Sequence, residues 1–134
     1  MRSQPLICVR DVEASSLWYQ RLLGCQSGHG PSNSGTWEYE RLVSNGQLVL
    51  QLHKWDVGHH HGPIGDPNIN PGNGVLLWFE VDDLDAAVAQ AGQLKAETVM
   101  PKYHHTGANQ WECWLRDQDG YIVVLSIPED VYRH

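Results

Sequence analysis

The stretch VRDVEA, Val9 to Ala14, is nearly repeated as VDDLDA, Val81 to Ala86. In both copies a short β-favouring run ends at an aspartate, and an apolar, alanine-containing helical pattern follows. Asp11 and Asp83 are therefore predicted helix N-caps, because a carboxylate accepts hydrogen bonds from the first free amides of a helix. The copies lie 72 residues apart in a chain of 134, so the sequence predicts a duplicated strand–helix unit.

Each copy is followed by a hairpin signal at nearly the same distance. Asn45-Gly46 ends 35 residues after the first aspartate, and Asp119-Gly120 ends 37 residues after the second. Such dipeptides favour two-residue turns because they tolerate positive φ. The repeated motifs therefore predict the same β-α-β-β(-β) order of elements in both halves of the chain. The predicted strands are 6–10, 37–43 and 47–55 in the first half, and 75–81, 97–100, 111–116 and 121–127 in the second.

The predicted helices each carry their apolar residues on one face, with Gly24 and Gly92 at or near the C-terminal ends. We expect these faces to be buried against the strands. They comprise Ala14, Leu17, Trp18 and Leu22 in the first helix, and Leu84, Ala87, Val88 and Ala91 in the second. Residues 27–35, 56–74 and 103–109 are predicted loops by composition.

Composition excludes several classes of partner. A net charge of −7 with only nine Lys and Arg argues against nucleic acid, which requires a basic patch. No apolar run is long enough to span a membrane, and the N-terminus lacks a signal-peptide pattern, so we expect a cytoplasmic protein. Cys8, Cys25 and Cys113 have no metal-ligand spacing and are predicted to be reduced, buried thiols.

Two stretches, VRDVEASSLWYQRLLG (9–24) and LRDQDGY (115–121), resemble the vicinal oxygen chelate superfamily. This superfamily includes glyoxalase I, bleomycin-resistance proteins, fosfomycin-resistance enzymes and extradiol dioxygenases. The resemblance covers nearly the whole chain and implies an α+β fold, in which two βαβββ modules form curled mixed sheets around a cleft. We expect one domain over residues 1–134, with modules at about 1–58 and 72–134 joined by a Gly/Pro/His-rich loop, and a homodimer.

The resemblance also places the superfamily's four metal-ligand positions on this chain. They fall on Gln4, Gln51, Leu76 and Val124, none of which is ionisable. Aliphatic side chains have no donor atoms, and hard divalent cations prefer carboxylate or imidazole ligands. The chain is therefore expected to lack the superfamily's metal site and to need no cofactor. A divalent metal bound by His53, a loop histidine and Glu112 is the alternative that the sequence leaves open.

Side chains alternate between the two faces of a sheet along each strand, which predicts further residues that would face a cleft. If the residues at the metal positions face inward, so do the residues two places along each strand. The resulting lining is apolar with a few polar groups, which is typical of a small-molecule site. The predicted ligand-binding residues are Gln4, Cys8, Gln51, His53, Trp78 and Ser126.

Two residues are candidates for acid–base chemistry. Histidine is the side chain best suited to proton transfer near neutral pH, so His53 is either a general base or ligand-binding donor, or a structural strand histidine. Glu112, with Glu38 and Glu40, precedes a hairpin, where a buried carboxylate would serve as an acid or base, although a solvated strand face is favoured. The tract 59–61 (HHH) is interpreted as a solvated loop, because consecutive histidines rarely converge on one ion.

Three functions remain open from sequence. The favoured one is a metal-free binding protein, similar to the bleomycin-resistance branch, that holds a flat or amphipathic small molecule between aromatic walls. The second is a lyase, isomerase or dioxygenase with a relocated or metal-independent site that uses His53 and Glu112. The third is an interaction module with a vestigial cleft. The acidic charge favours a cationic or neutral ligand.

Overall fold

The computed structural model describes residues 1–55 and 65–132, so the predicted histidine loop at 59–61 lies outside the described residues. The chain divides into two compact units, Met1–Ile69 and Asn70–His134. Each unit contains one four-stranded mixed sheet and one α-helix. Neither helix of the described chain has the length and apolar character needed to cross a membrane.

The first unit has the order strand, helix, and three further strands. Its sheet order is β1-β4-β3-β2, in which β1 is parallel to β4 and the remaining pairs are antiparallel. The elements are β1 (Leu6–Val9), α1 (Val12–Leu23), β2 (Gln26–Ser27), β3 (Tyr39–Ser44) and β4 (Gln47–Lys54).

The second unit repeats this topology as β5-β8-β7-β6, again with one parallel pair. The predicted α+β fold with two βαβββ modules is therefore confirmed. The elements are β5 (Leu76–Glu80), α2 (Leu84–Gln93), β6 (Glu97–His105), β7 (Gln110–Arg116) and β8 (Ile122–Pro128).

The repeated aspartates cap both helices as predicted. Oδ1 of Asp11 accepts a hydrogen bond from the amide of Ala14, and Oδ1 of Asp83 accepts one from Ala86, each at 3.0 Å. The first hairpin turn also matches its sequence, since Asn45 and Gly46 have φ values of 52° and 76°. The local signals that predicted the duplication are therefore the groups that start the helices and close the first hairpin.

The predicted buried face of α1 is partly wrong. Leu17 is 49% exposed, whereas Ser15 and Ser16 are buried. The reason is that Ser16 Oγ donates a 2.8 Å hydrogen bond to the buried carboxylate of Glu40, so a polar pair occupies the helix–sheet interface. In α2 the prediction holds better, because Leu84, Ala87 and Ala91 are buried.

Two predicted loops contain strand. Residues 26–27 form β2, which pairs with β3, and β6 continues through Pro101 to His105. Proline removes a backbone donor and is tolerated on an edge strand or at an irregularity. β6 is such an edge, and its register shifts between Met100 and Tyr103. The prediction that the strand ends at Met100 was therefore wrong.

Each sheet has a face covered by its own helix and an opposite face, here called the helix-free face. In the first sheet Glu40 contacts α1 through Ser16 and pairs with Leu52, so Tyr39, Gln51 and His53 lie on the helix-free face. In the second sheet the ring of Trp111 contacts Tyr132, whose hydroxyl meets Asp85 on α2. Alternation then assigns the helix-free face to Trp78, Glu112, Trp114, Val124 and Ser126.

Candidate functional site

The helix-free face of the second sheet is organised by Glu112, which is only 1% exposed. Its carboxylate accepts hydrogen bonds from the hydroxyl of Tyr103 at 2.7 Å, the amide Nε2 of Gln110 at 2.5 Å, and the indole Nε1 of Trp114 at 3.0 Å. Buried carboxylates are costly unless such donors satisfy them. The predicted solvated position for Glu112 is therefore wrong, because three neighbouring side chains replace water.

The protonation of Glu112 follows from these donors. Burial raises the pKa of the carboxyl, but the hydrogen bonds from Tyr103, Gln110 and Trp114 outweigh it and, with nearby His105, lower the pKa below its ordinary value. The hydrogen bond to Glu112 raises the pKa of the Tyr103 phenol, with burial adding to the effect. At neutral pH the network therefore contains a carboxylate and a neutral phenol.

Trp78 is the large aromatic side chain that this face presents to solvent. It is 45% exposed, yet its Nε1 donates a 2.9 Å hydrogen bond to the hydroxyl of buried Ser126. Its ring meets that of Trp114 edge to face, with centroids 6.3 Å apart. An exposed indole held at both its polar atom and its edge presents a preorganised apolar surface.

Three predicted site residues of the first unit, Cys8, Gln51 and His53, lie on its helix-free face, whereas Gln4 precedes β1 and meets this face through its backbone carbonyl. Gln51 accepts a 2.5 Å hydrogen bond from the Tyr39 hydroxyl and donates a 3.0 Å bond to the carbonyl of Gln4. The Nδ1 of His53 lies 2.7 Å from the Lys54 carbonyl, so that nitrogen carries the proton. The Tyr39 and His53 rings are 6.4 Å apart.

The cysteines are free and buried, as the sequence predicted. Cys8 pairs with His53 across the parallel strands and therefore lies on the same sheet face. Burial raises the pKa of the Cys8 thiol, and burial raises that of Cys25 to about 11. A thiol that stays protonated is a poor nucleophile, so Cys8 contributes packing to this face.

The residues at the superfamily's metal positions do not fit a divalent cation. Leu76 and Val124 have no donor atoms, and Gln51 already uses both ends of its amide within the protein. In the described part of the chain, no three His, Cys, Asp or Glu side chains are grouped as a metal site.

A separate cleft of about 360 Å³ lies at the start of α1. Arg10 and Lys54 line it together with Asp11, Glu13 and Glu38, and Trp37 forms an apolar wall. The cleft contains none of the predicted site residues. Acidic and basic side chains both surround the start of α1, where the Asp11 carboxylate already accepts a hydrogen bond from the amide of Ala14.

Sequence reasoning missed Tyr39, Tyr103 and Trp114 as members of these faces. Trp114 and Tyr39 lie in predicted strands, and Trp114 is the register partner of Val124. Because residues two apart in a strand face the same side of the sheet, Trp114 could have been assigned to the face of Glu112 from the sequence. Tyr103 had no such signal, because the sequence predicts a loop for the segment that contains it.

A family model described as the Glyoxalase/Bleomycin resistance protein/Dioxygenase superfamily matches residues 3–125. No curated protein matches the chain by sequence.

Several solved structures have a similar fold. TioX from Micromonospora sp. ML1 is 15% identical with a TM-score of 0.73, and the match covers 94% of this chain and 98% of that chain. The integron cassette protein VPC_CASS1 from V. Pseudocholerae is 22% identical with a TM-score of 0.67, covering 95% and 93%. Lactoylglutathione lyase from Agrobacterium tumefaciens is 16% identical with a TM-score of 0.65, covering 96% and 94%. At these identities the likeness shows the fold alone.

Proposed function

The chain belongs to the Glyoxalase/Bleomycin resistance protein/Dioxygenase superfamily, and on that premise we propose that it is a small-molecule-binding protein that works without the superfamily's metal. The ligand lies against the helix-free face of the second sheet. The single observation that carries the proposal is Trp78, a large aromatic side chain that is half exposed yet fixed by a hydrogen bond to buried Ser126. Fixed aromatic surfaces bind flat or amphipathic molecules with little loss of conformational entropy.

The polar groups around Trp78 support this role. Binding sites for small molecules are mainly apolar and have a few oriented polar groups. Ser126, Glu112 and the indole of Trp114 are oriented by their hydrogen bonds within this face. The predicted residues of the first unit, Gln4, Cys8, Gln51 and His53, would contribute a second, more polar surface, and we propose that the protein acts as a homodimer, as the superfamily commonly does.

We expect Trp78 to report ligand binding directly. In a fluorescence screen of flat and amphipathic compounds, a true ligand should change the tryptophan emission of the wild type, and Trp78→Ala should weaken its binding by at least about tenfold, a typical loss for an aromatic anchor. Trp111→Phe is the matched control, because Trp111 lies on the helix-covered face of the same sheet. Equal affinities of wild type and Trp78→Ala for every compound would refute the proposal.

A second candidate is catalysis of the superfamily's lyase, isomerase or dioxygenase type. The observation in its favour is His53, whose Nδ1 is oriented by the Lys54 carbonyl. The lowered pKa of Glu112 suits a fixed anion better than a general base, which works best with a pKa near the working pH. Chemical conversion of a bound compound that is abolished by His53→Gln would favour catalysis over binding alone.

A further inference from the structure

Two carboxylates lie in one row across the helix-free face of the second sheet. Glu80 on β5 pairs with Ser126 on β8, which pairs with Glu112 on β7. The adjacent row, two residues along, is Trp78, Val124 and Trp114. Anionic and aromatic rows therefore run side by side across three neighbouring strands.

The buried carboxylate is coupled to one of the two indoles. Glu112 accepts the Nε1–H of Trp114 at 3.0 Å, and that ring in turn packs against the ring of Trp78 in a T-shaped arrangement. An indole whose N–H donates to an anion has a more electron-rich ring face, and indole is already the side chain that attracts cations best. The effect of Glu112 therefore reaches the ligand through Trp114.

The cationic side chains that the structure describes near this face are engaged with other groups. Arg116, on the same face of β7, contacts Glu97 at 3.2 Å and donates to the Gly120 carbonyl. Lys102, which does lie over aromatic rings, is placed over Trp111 and Tyr132 on the helix-covered side. His105, a titratable neighbour of Glu112, accepts the Ala108 amide through Nδ1.

We propose that the ligand of this face is an organic cation, such as a quaternary ammonium or a protonated amine attached to an apolar body. The cation rests on the Trp78 and Trp114 rings, the exposed Glu80 supplies a countercharge, and the buried Glu112 makes the Trp114 ring more electron-rich. Glu112 is a positioning residue here, because it is too deeply buried to touch the ligand and acts through Trp114. This inference rests on the proposed binding function and specifies its ligand class.

A pair of isosteric probes tests the inference. We would titrate 4-(trimethylammonio)phenol and its neutral analogue 4-tert-butylphenol into ¹⁵N-labelled protein and follow the indole N–H resonances of Trp78 and Trp114. We expect the cation to bind about tenfold more tightly than the neutral probe. This preference should shrink to about threefold or less in Glu112→Gln, with little change in the affinity for the neutral probe.

Glu40→Gln is the matched control, because Glu40 is also a fully buried glutamate but faces α1 in the other unit. It should keep the wild-type preference. If Glu112→Gln does not fold, Glu80→Gln provides the test instead, because Glu80 is exposed. In that variant the preference for the cationic over the neutral probe should also fall. Equal or tighter binding of the neutral probe, or no binding of the cation at all, would overturn the inference. Binding that favours the neutral probe but still requires Trp78 would leave the binding function itself intact.

Discussion

Glu40 shows how one buried residue is made compatible with a protein core. It is fully buried, and its carboxylate accepts hydrogen bonds from the hydroxyls of Ser16 and Ser27 and from the amides of His29 and Gly30. Burial raises the pKa of Glu40, but these hydrogen bonds together lower it below the ordinary value. The residue therefore holds α1, the segment after β2 and the sheet together through one anion.

This arrangement predicts a pH-dependent stability. A carboxyl whose folded pKa is below its unfolded pKa, about 4.3, contributes stability above that pH and loses it as the pH falls through the folded pKa. Glu40→Gln should lower the free energy of unfolding by about 2 kcal/mol at pH 7, and the difference from wild type should narrow below about pH 4. Urea unfolding at pH 7 and pH 3.5 measures both quantities.

The exposed strand carboxylate of Glu80 provides the control. Glu80→Gln should change the free energy of unfolding by less than about 0.5 kcal/mol at either pH, as is usual for surface substitutions. A constant difference between wild type and Glu40→Gln across the pH range would contradict an ionised Glu40 in the folded protein.

At the scale of the elements, the two units share a topology but differ at their edges. β2 has two residues, whereas its counterpart β6 has nine. A long edge strand invites pairing with other chains, and proline, lysine and irregular register reduce that risk. β6 contains all three protections, namely Pro101, Lys102 and two register shifts. These features should reduce the tendency of the nine-residue edge strand to pair with other chains.

Two glycines provide a matched test of local backbone requirements. Gly46 closes the first hairpin with a φ of 76°, so Gly46→Ala should lower the free energy of unfolding by about 1 kcal/mol. Gly92 lies in α2 without a positive φ, and a methyl group there would have no tertiary contact within 4 Å among the described residues. Gly92→Ala should therefore raise the free energy of unfolding by about 0.5 kcal/mol. Thermal or chemical unfolding of both variants checks the opposite signs, and the same sign for both would contradict this account.

At the scale of the whole molecule, the non-ligating residues at the superfamily's metal positions have a measurable consequence. We expect protein purified without a tag or added ions to contain less than about 0.1 equivalent of any divalent metal, since Leu and Val offer no donors. Treatment with a chelator should leave the Trp78-dependent fluorescence response unchanged. Elemental analysis and a repeat of the ligand titration after dialysis against EDTA test this, and a stoichiometric metal that is required for binding would refute it.

The proposed homodimer is tested at the same scale. Sedimentation equilibrium should give about twice the mass of one chain at micromolar concentration, because a stable interface of ordinary size keeps protomers associated in that range. A mass equal to a single chain throughout would rule out a stable dimer.

The sequence by itself determined the duplication, the two helix starts and the first hairpin, because each depends on residues adjacent in the chain. Asp11 and Asp83 act on amides three residues away, and Asn45-Gly46 sets its own backbone angles. Alternation along a strand was also sufficient to predict that Trp78 and Ser126 share a face.

Only the tertiary structure decided which polar groups are buried. Ser16 meets Glu40 across 24 residues of chain, and Trp78 meets Ser126 across 48. The sequence therefore predicted solvated glutamates at positions where the fold supplies donors from other strands and a helix. A carboxylate is buried or exposed according to whether such donors converge on it, and their convergence depends on strand register rather than on neighbouring residues.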